Sequence, residues 1–140
     1  MKYLVQLFVL PVILVSLFSC SDSLVPDTLP GTYNVTAFDS LGVKISQGSL
    51  TVDLIDSSKI DGEWSFIQVG SNSDVGFKFD DGKYTGMVSG DTVRINLNPD
   101  MIDDNISLFG IFNDGVIAGK WEWSTFIGIT AHGTFNAVKE

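Results

Sequence analysis

From residue 31 onward, apolar and polar residues alternate with a period of two, which is typical of half-buried β-strands. Leu50, Val52 and Leu54, for example, alternate with Thr51 and Asp53. No stretch of ten residues has helical periodicity that is free of glycine or turn residues. We predict eight strands, at Thr32–Asp39, Ser49–Asp56, Gly62–Val69, Gly76–Phe79 joined to Lys83–Ser89, Thr92–Asn98, Ile106–Phe112, Val116–Phe126 and Thr130–Lys139.

The connections between these strands are short and rich in Gly, Asp, Asn and Ser, the usual turn residues. Asp80-Asp81-Gly82 is predicted as a turn, and Asn113-Asp114-Gly115 is a strong hairpin signal. Short connections favour antiparallel neighbours, and no helix is predicted that would cover the apolar face. We therefore expect an all-β fold, an eight-stranded antiparallel up-and-down barrel, because closure hides that face and removes the sheet edges. A β-sandwich is the alternative.

The N-terminal segment has the composition of a signal peptide. Lys2 precedes an apolar run from Tyr3 to Phe18. This run is shorter than the about 20 residues that a membrane-spanning helix needs. Polar residues follow it directly, so a cleaved signal peptide is the better interpretation.

The end of this run, Leu17-Phe18-Ser19-Cys20, resembles the lipobox of bacterial lipoproteins. The resemblance implies that Cys20 carries a diacylglycerol and that its amine receives an acyl chain such as palmitate after cleavage. It implies a signal peptide at 1–19, a tether at 20–30 and a barrel domain at 31–140. Because Ser21 stands where inner-membrane lipoproteins carry Asp, it implies the outer membrane of a bacterial cell envelope, on its periplasmic or surface face. A buried free cysteine is the alternative.

A second resemblance lies at the two ends of the predicted barrel. Gly31-Thr32-Tyr33 resembles the Gly-x-Trp signature that opens the first strand of lipocalins and related calycin barrels. The final strand is similar to the closing strand of those barrels, which implies that Lys139 stacks on Tyr33 as a cation–π contact. Gly62-Glu63-Trp64 and Gly119-Lys120-Trp121 repeat the pattern. The strand number is also similar to avidin-like barrels, but no biotin-binding set carries over.

The composition narrows the classes of partner. The chain has 8 Lys+Arg and 17 Asp+Glu, a formal net charge of -9. Nucleic acid is an unsuitable partner, because its phosphates require a cationic surface. A basic protein partner suits this charge through long-range steering. With one Cys and one His, the chain cannot form an internal disulfide or the usual zinc sites, and we predict no metal or cofactor.

The aromatic residues are the candidate binding residues. Trp121 and Trp123 share a face of one strand, and Trp64 and Phe66 share a face of another. If both faces point inward, they line a pocket for a small apolar or planar molecule. The predicted ligand-binding set is Trp64, Phe66, Trp121, Trp123 and Tyr33. The alternative is that these rings simply fill a barrel of this size.

Buried indole N–H groups need acceptors. The side chains of Gln68, Thr125 and Asn34 are the candidates in the sequence.

Other residues with reactive side chains have structural interpretations. His132 stands in the last strand without a nucleophile motif nearby, so we expect no catalytic residue and no enzyme. Asp100, Asp103, Asp104 and Asn105 offer oxygen ligands for Ca²⁺, but the spacing of a calcium loop is missing, so a solvated acidic loop is expected.

Arg94 is expected at the surface, because Val93 and Ile95 on either side of it are predicted to face inward.

The resulting hypothesis is a lipid-anchored small barrel that binds a small hydrophobic ligand without catalysis. The alternative is a protein-interaction module, such as an inhibitor of a lysozyme or a protease. The state of the barrel interior distinguishes the two, because an open apolar cavity favours a ligand and a filled barrel with an exposed apolar or acidic loop patch favours a protein partner.

Overall fold

The computed structural model describes residues 25–70 and 76–140, and these form an eight-stranded barrel. The strands are β1 (Gly31–Asp39), β2 (Lys44–Leu54), β3 (Lys59–Gln68), β4 (Asp80–Ser89), β5 (Thr92–Asn96), β6 (Asn105–Asn113), β7 (Val116–Thr125) and β8 (Gly128–Lys139). Each strand pairs antiparallel with the next, and β8 pairs with β1. The predicted up-and-down barrel is confirmed, and the alternative of two packed sheets is wrong.

The predicted signal peptide and Cys20 lie outside the described residues. Within the part of the chain that the structure describes, no helix has the length and apolarity needed to cross a membrane.

Four of the large inward rings follow one packing rule: each lies directly opposite a glycine on a neighbouring strand. The fully buried Tyr33 is an exception, since it lies opposite Leu50 and Lys139. The four register pairs are Trp64 with Gly82, Phe66 with Gly48, Tyr84 with Gly62, and Trp121 with Gly133. An added Cβ would lie 3.0 Å from the indole at Gly82, 2.8 Å from the phenyl ring at Gly48 and 2.9 Å from the phenol at Gly62. The glycines therefore provide the space that bulky rings need inside so narrow a barrel.

Two predictions near β4 are wrong. Asp80-Asp81-Gly82 is not a turn but the start of β4, where it pairs with Phe66, Ser65 and Trp64. Gly76–Phe79, predicted as a strand, precedes β4 as irregular chain. Gly82 lies inward, opposite the Trp64 ring, and both aspartates are exposed. These residues therefore form part of the barrel wall, although locally they favour a turn.

The start of β2 was also predicted wrongly, at Ser49 instead of Lys44. Two inward positions in the added part are Ser46 and Gly48, which interrupt the apolar alternation. The buried Ser46 hydroxyl donates a hydrogen bond to the Ile67 carbonyl at 3.1 Å.

The predicted hairpin between β6 and β7 is confirmed. Asp114 and Gly115 have φ values of 48° and 79°. A two-residue type I′ turn requires positive φ at both positions.

Because successive strands alternate in direction, their connections fall into two groups at opposite ends of the barrel. The turn end carries the β2–β3, β4–β5 and β6–β7 turns and residues 25–30, which precede β1. The aromatic end carries the connections 40–43, 97–104 and 126–127, and the described residues 69–70 and 76–79 of the β3–β4 connection.

Side chains seal the turn end. Leu29 is fully buried, and the Tyr33 hydroxyl donates a hydrogen bond to its carbonyl. Lys139 Nζ donates to the carbonyls of Thr28 and Pro30, each at 2.6 Å. The predicted stacking of Lys139 on Tyr33 is therefore wrong: the two residues are register partners, but the ammonium group turns to backbone carbonyls while the ring is enclosed by the core.

Burial changes the titration of two phenols. Burial raises the pKa of Tyr33 to about 12. Burial, followed by the nearby charges of Asp53 and Asp61, raises the pKa of Tyr84 above its ordinary value of 10.0. The Tyr84 hydroxyl donates to the Thr51 carbonyl at 2.9 Å, which requires its proton.

We expect Gly133→Ala to lower the free energy of unfolding by about 1–3 kcal/mol, the usual range for overpacking a buried site. The new methyl group would lie 2.0 Å from the Phe38 carbonyl oxygen and 2.6 Å from Nε1 of Trp121, which donates to that carbonyl at 2.8 Å. Urea unfolding followed by tryptophan fluorescence measures the change. The control is Thr134→Ala, at the exposed next position of β8; equal stability of the two variants would contradict the packing rule.

We expect the protein to lose stability as the pH rises from about 10 towards 12. Above the ordinary phenol pKa of 10.0, the unfolded chain releases protons that buried Tyr33 and Tyr84 retain, so the native state binds more protons and its stability falls with pH. Below pH 10 this contribution is fully present. Urea midpoints between pH 8 and 12 test it: Tyr33→Phe with Tyr84→Phe should flatten the decline relative to the wild type, and an unchanged slope would contradict it.

Candidate functional site

A continuous row of four rings crosses the interior at the aromatic end. The centroid distances are 5.3 Å from Trp64 to Phe66, 5.6 Å from Phe66 to Phe77 and 5.1 Å from Phe77 to Trp121. Trp64 and Phe66 belong to β3 and Trp121 belongs to β7, so Phe77 bridges rings that stand on different parts of the wall.

Phe77 has an unusual origin. Among the described residues it is the one buried aromatic residue outside the strands, since it belongs to the β3–β4 connection. Side-chain packing holds it in place, including Phe79 at 6.3 Å. The sequence analysis missed Phe77 as a site residue because residues 76–79 were assigned to the barrel wall. The available signal was a phenylalanine between Gly76 and Lys78, directly after a polar, turn-rich stretch.

The two fully inward indoles donate to backbone carbonyls. Trp64 Nε1 donates to the Leu97 carbonyl at 3.1 Å, and Trp121 Nε1 donates to the Phe38 carbonyl at 2.8 Å. Both acceptors lie near the aromatic end, so the indoles tie the wall to the residues that border its loops. These bonds satisfy the indole N–H groups that burial would otherwise leave unpaired.

The predicted side-chain acceptors for the indoles are wrong. Asn34 and Gln68 are exposed. The Thr125 hydroxyl is buried without a hydrogen-bond partner among the described residues. Backbone carbonyls and one aspartate take their place, and residue patterns in the sequence do not reveal carbonyl acceptors.

Asp104 connects three parts of the rim. Its Oδ1 accepts a hydrogen bond from Trp123 Nε1 at 2.6 Å, and its Oδ2 lies 3.4 Å from Lys78 Nζ. Its backbone carbonyl accepts from Asn98 Nδ2 at 2.7 Å. Asp104 thus holds the half-buried Trp123 and the residue next to Phe77 in fixed positions.

The acidic loop shows no arrangement for a cation. The Asp104 carboxylate is engaged as described, and Asp100 and Asp103 are exposed. Within residues 25–70 and 76–140, no group of three or more His, Cys, Asp or Glu side chains is placed to hold a metal ion.

The five residues predicted to bind a ligand are divided between two places. Trp64, Phe66 and Trp121 belong to the ring row, and Trp123 stands at its rim. Tyr33 lies towards the turn end, where it contacts Leu29.

Buried rings and aliphatic side chains occupy the interior at the aromatic end, so the described residues form the filled barrel of the alternative, and a ligand would have to displace a ring. Two clefts formed by the described residues lie on the outer wall. One cleft of about 430 Å³ runs over β3–β6, and another of about 730 Å³ runs over β5–β8. Arg94 and Phe109 stand between them, with the guanidinium 5.9 Å from the ring centroid. Arg94 is exposed, as predicted, and His132 is exposed opposite Glu122, away from the ring row.

Comparison with known proteins shows the fold alone. No protein-family model matches the chain, and no curated protein matches it. Among solved structures, the chain is similar to EF1p2_mFAP2b, which was solved bound to DFHBI. The two are 17% identical with a TM-score of 0.60, and the match covers 86% of this chain and 99% of that one. The shared feature is the β-barrel architecture.

Proposed function

We propose that this protein is a non-catalytic, lipid-anchored barrel of the bacterial cell envelope that binds a small, planar, apolar molecule at its aromatic end. The observation that carries the proposal is the position of Phe77. This ring fills the space between Phe66 and Trp121 but comes from a connection and not from the wall.

Phe77 is the ring that a ligand can replace at least cost. Moving Trp64, Phe66 or Trp121 would disturb strands that are hydrogen-bonded on both sides. Moving Phe77 breaks no strand pairing, and a planar ligand in its place would restore the stacked and edge contacts that it makes. The ligand site would therefore be bounded by Phe66 and Trp121, with Trp64 behind them and Trp123 at the entrance.

The geometry of the other end supports entry from this side. The turn end is sealed by Leu29, Tyr33 and the hydrogen bonds of Lys139. The aromatic end has the two longest connections, and its half-buried Trp123 packs against the core while its Nε1 donates to Asp104. A barrel of the same architecture, EF1p2_mFAP2b, was solved with the small molecule DFHBI bound, which is consistent with a ligand site in such a fold.

The anchoring part of the proposal rests on the lipobox-like residues before Cys20. The chain enters the barrel at the turn end, since residues 25–30 lie there. A tether from a lipidated Cys20 would attach at that end, so the aromatic end would face away from the bilayer. More than one acyl chain on one residue gives stable membrane attachment.

We expect the protein to bind 2-naphthol, a neutral planar probe, and Phe77→Ala to bind it at least about tenfold more tightly, a gain of about 1.4 kcal/mol. The gain arises because the variant has no ring to displace and offers an apolar space in its place. Titration calorimetry gives both affinities.

Phe112→Ala is the matched control, because Phe112 and Phe77 are equally buried, at 6% exposed, while Phe112 is a wall residue near the turn end. Both variants should lose about 3–5 kcal/mol of stability. Only Phe77→Ala should gain affinity. The proposed site would be refuted if neither the wild type nor Phe77→Ala bound 2-naphthol. It would also be refuted if Phe112→Ala gained as much affinity as Phe77→Ala.

We expect Cys20→Ala to move the full-length protein from the membrane fraction to the soluble fraction of a bacterial host and to abolish incorporation of labelled palmitate. Removal of the thiol removes the site of acylation. Ser21→Ala is the control and should remain in the membrane fraction. A Cys20→Ala protein that stays membrane-bound would refute the anchor.

A further inference from the structure

Apolar side chains occupy the tips of three successive connections around the aromatic end. We call this set the apolar crown: Leu41, Val43, Met101, Ile102, Phe126, Ile127 and Ile129. Ile102 is 91% exposed, Leu41 is 85% exposed and Phe126 is 84% exposed. The β5–β6, β7–β8 and β1–β2 connections carry six of them, Ile129 stands at the start of β8, and these elements follow one another around the rim, so the crown lies on one side of the aromatic end.

The turns at the opposite end show that the fold itself does not require apolar tips. Those turns use Ile55–Ser58, Gly90–Asp91 and Asp114–Gly115, in which Ile55 is the one exposed large apolar residue. The same meander therefore closes mostly with ordinary turn residues at one end and with several exposed Ile, Leu and Phe residues at the other. Such a concentration of exposed apolar side chains on one side of a folded protein is typical of an interaction surface.

Local hydrogen bonds hold the tips in fixed positions. The Asp39 carboxylate accepts hydrogen bonds from the backbone N–H of Leu41 at 2.9 Å and of Val43 at 2.8 Å. The Asp104 carbonyl accepts from Asn98 and fixes the connection that carries Ile102. Ordering these tips before contact reduces the entropy that binding must overcome.

The charge around the crown identifies the kind of partner. In the described connections of this end and the strand residues next to them, acidic residues outnumber basic ones: Asp39, Asp80, Asp100, Asp103 and Asp104 against Lys44 and Lys78. Lys78 is already engaged by Asp104. An anionic bilayer or a second copy of this chain would bring like charges together at short range, which is unfavourable. A cationic protein surface would instead be attracted.

We propose that the apolar crown is the docking surface for a basic protein that carries an apolar patch surrounded by lysine or arginine. The apolar tips contact the patch, and the exposed Asp100 and Asp103 face its cationic border. This surface is separate from the ring row, so it goes beyond small-molecule binding. The orientation of the proposed Cys20 anchor would point the crown away from the membrane.

Site-specific photo-crosslinking of the full-length protein in its bacterial host tests this surface. p-Benzoylphenylalanine replaces Phe126 in one strain and Ile55, an exposed apolar residue at the turn end, in the control strain. We expect a discrete adduct with one basic protein from position 126 only. The adduct should be lost in Leu41→Ser with Ile102→Ser and reduced in Asp100→Asn with Asp103→Asn.

The identified protein is then purified and titrated against this protein. We expect Leu41→Ser with Ile102→Ser to weaken binding at least about tenfold, and increasing salt to slow association. Absence of an adduct, an equal adduct from position 55, or an adduct with lipid or with a second copy of the chain would overturn the proposal. Phe77→Ala should crosslink like the wild type, so failure of the small-molecule site and failure of the crown are distinguishable.

Discussion

The structure depends on one packing constraint: in this narrow barrel, four of the large inward rings occupy the space that a glycine leaves on the neighbouring strand. Trp64, Phe66, Tyr84 and Trp121 each lie opposite a glycine. This arrangement sets the register, because a slip of one residue would place side chains where the rings now lie. It also orients Trp64 and Trp121 so that their N–H groups reach backbone carbonyls. The same ring–glycine pairs thus account for the packing of the rings and for the hydrogen bonds of the two indole N–H groups.

The functional proposals concern residues outside the ring–glycine pairs, namely Phe77 and the apolar crown. Phe77 completes the ring row without belonging to the wall, so its position can be exchanged for that of a ligand without loss of strand pairing. The apolar crown lies in the connections at the aromatic end and at the start of β8, where its exposed side chains do not pack against the core. Asp104 links these features, because it bonds Trp123 and the lysine next to Phe77 and lies in the connection that carries Ile102. Small-molecule binding and protein docking would therefore share one rim.

Much of the fold could be predicted from local pattern. Alternation predicted all eight strands, and the Asp114-Gly115 turn was recognisable because its positive φ values require particular residue types. The inward direction of Trp64 and Trp121 followed from the same alternation. The start of β2 could not be found this way, since Ser46 and Gly48 are inward for reasons of cross-strand space and not of hydrophobicity. Asp80–Gly82 was misassigned for the same reason.

The site was less predictable, because its decisive contacts are long-range. Phe77 reaches Trp121 across the barrel, and Trp121 donates to a carbonyl on β1 that its own neighbourhood in the sequence does not indicate. Lys139 donates hydrogen bonds to the carbonyls of Thr28 and Pro30, which precede β1. A resemblance that covers three residues does not specify these partners. Tyr33 lies apart from the other predicted binding residues, because it stands near the start of β1, at the turn end of the barrel.

The most direct test of the central claim is fluorine NMR of protein labelled with 5-fluorotryptophan, titrated with 2-naphthol. The chain has three tryptophans, so three resonances report on the ring row and its rim. The account predicts that the Trp121 resonance shifts most, that Trp64 shifts with it, and that both saturate at one concentration. An unchanged Trp121 resonance at the solubility limit of the probe would contradict it.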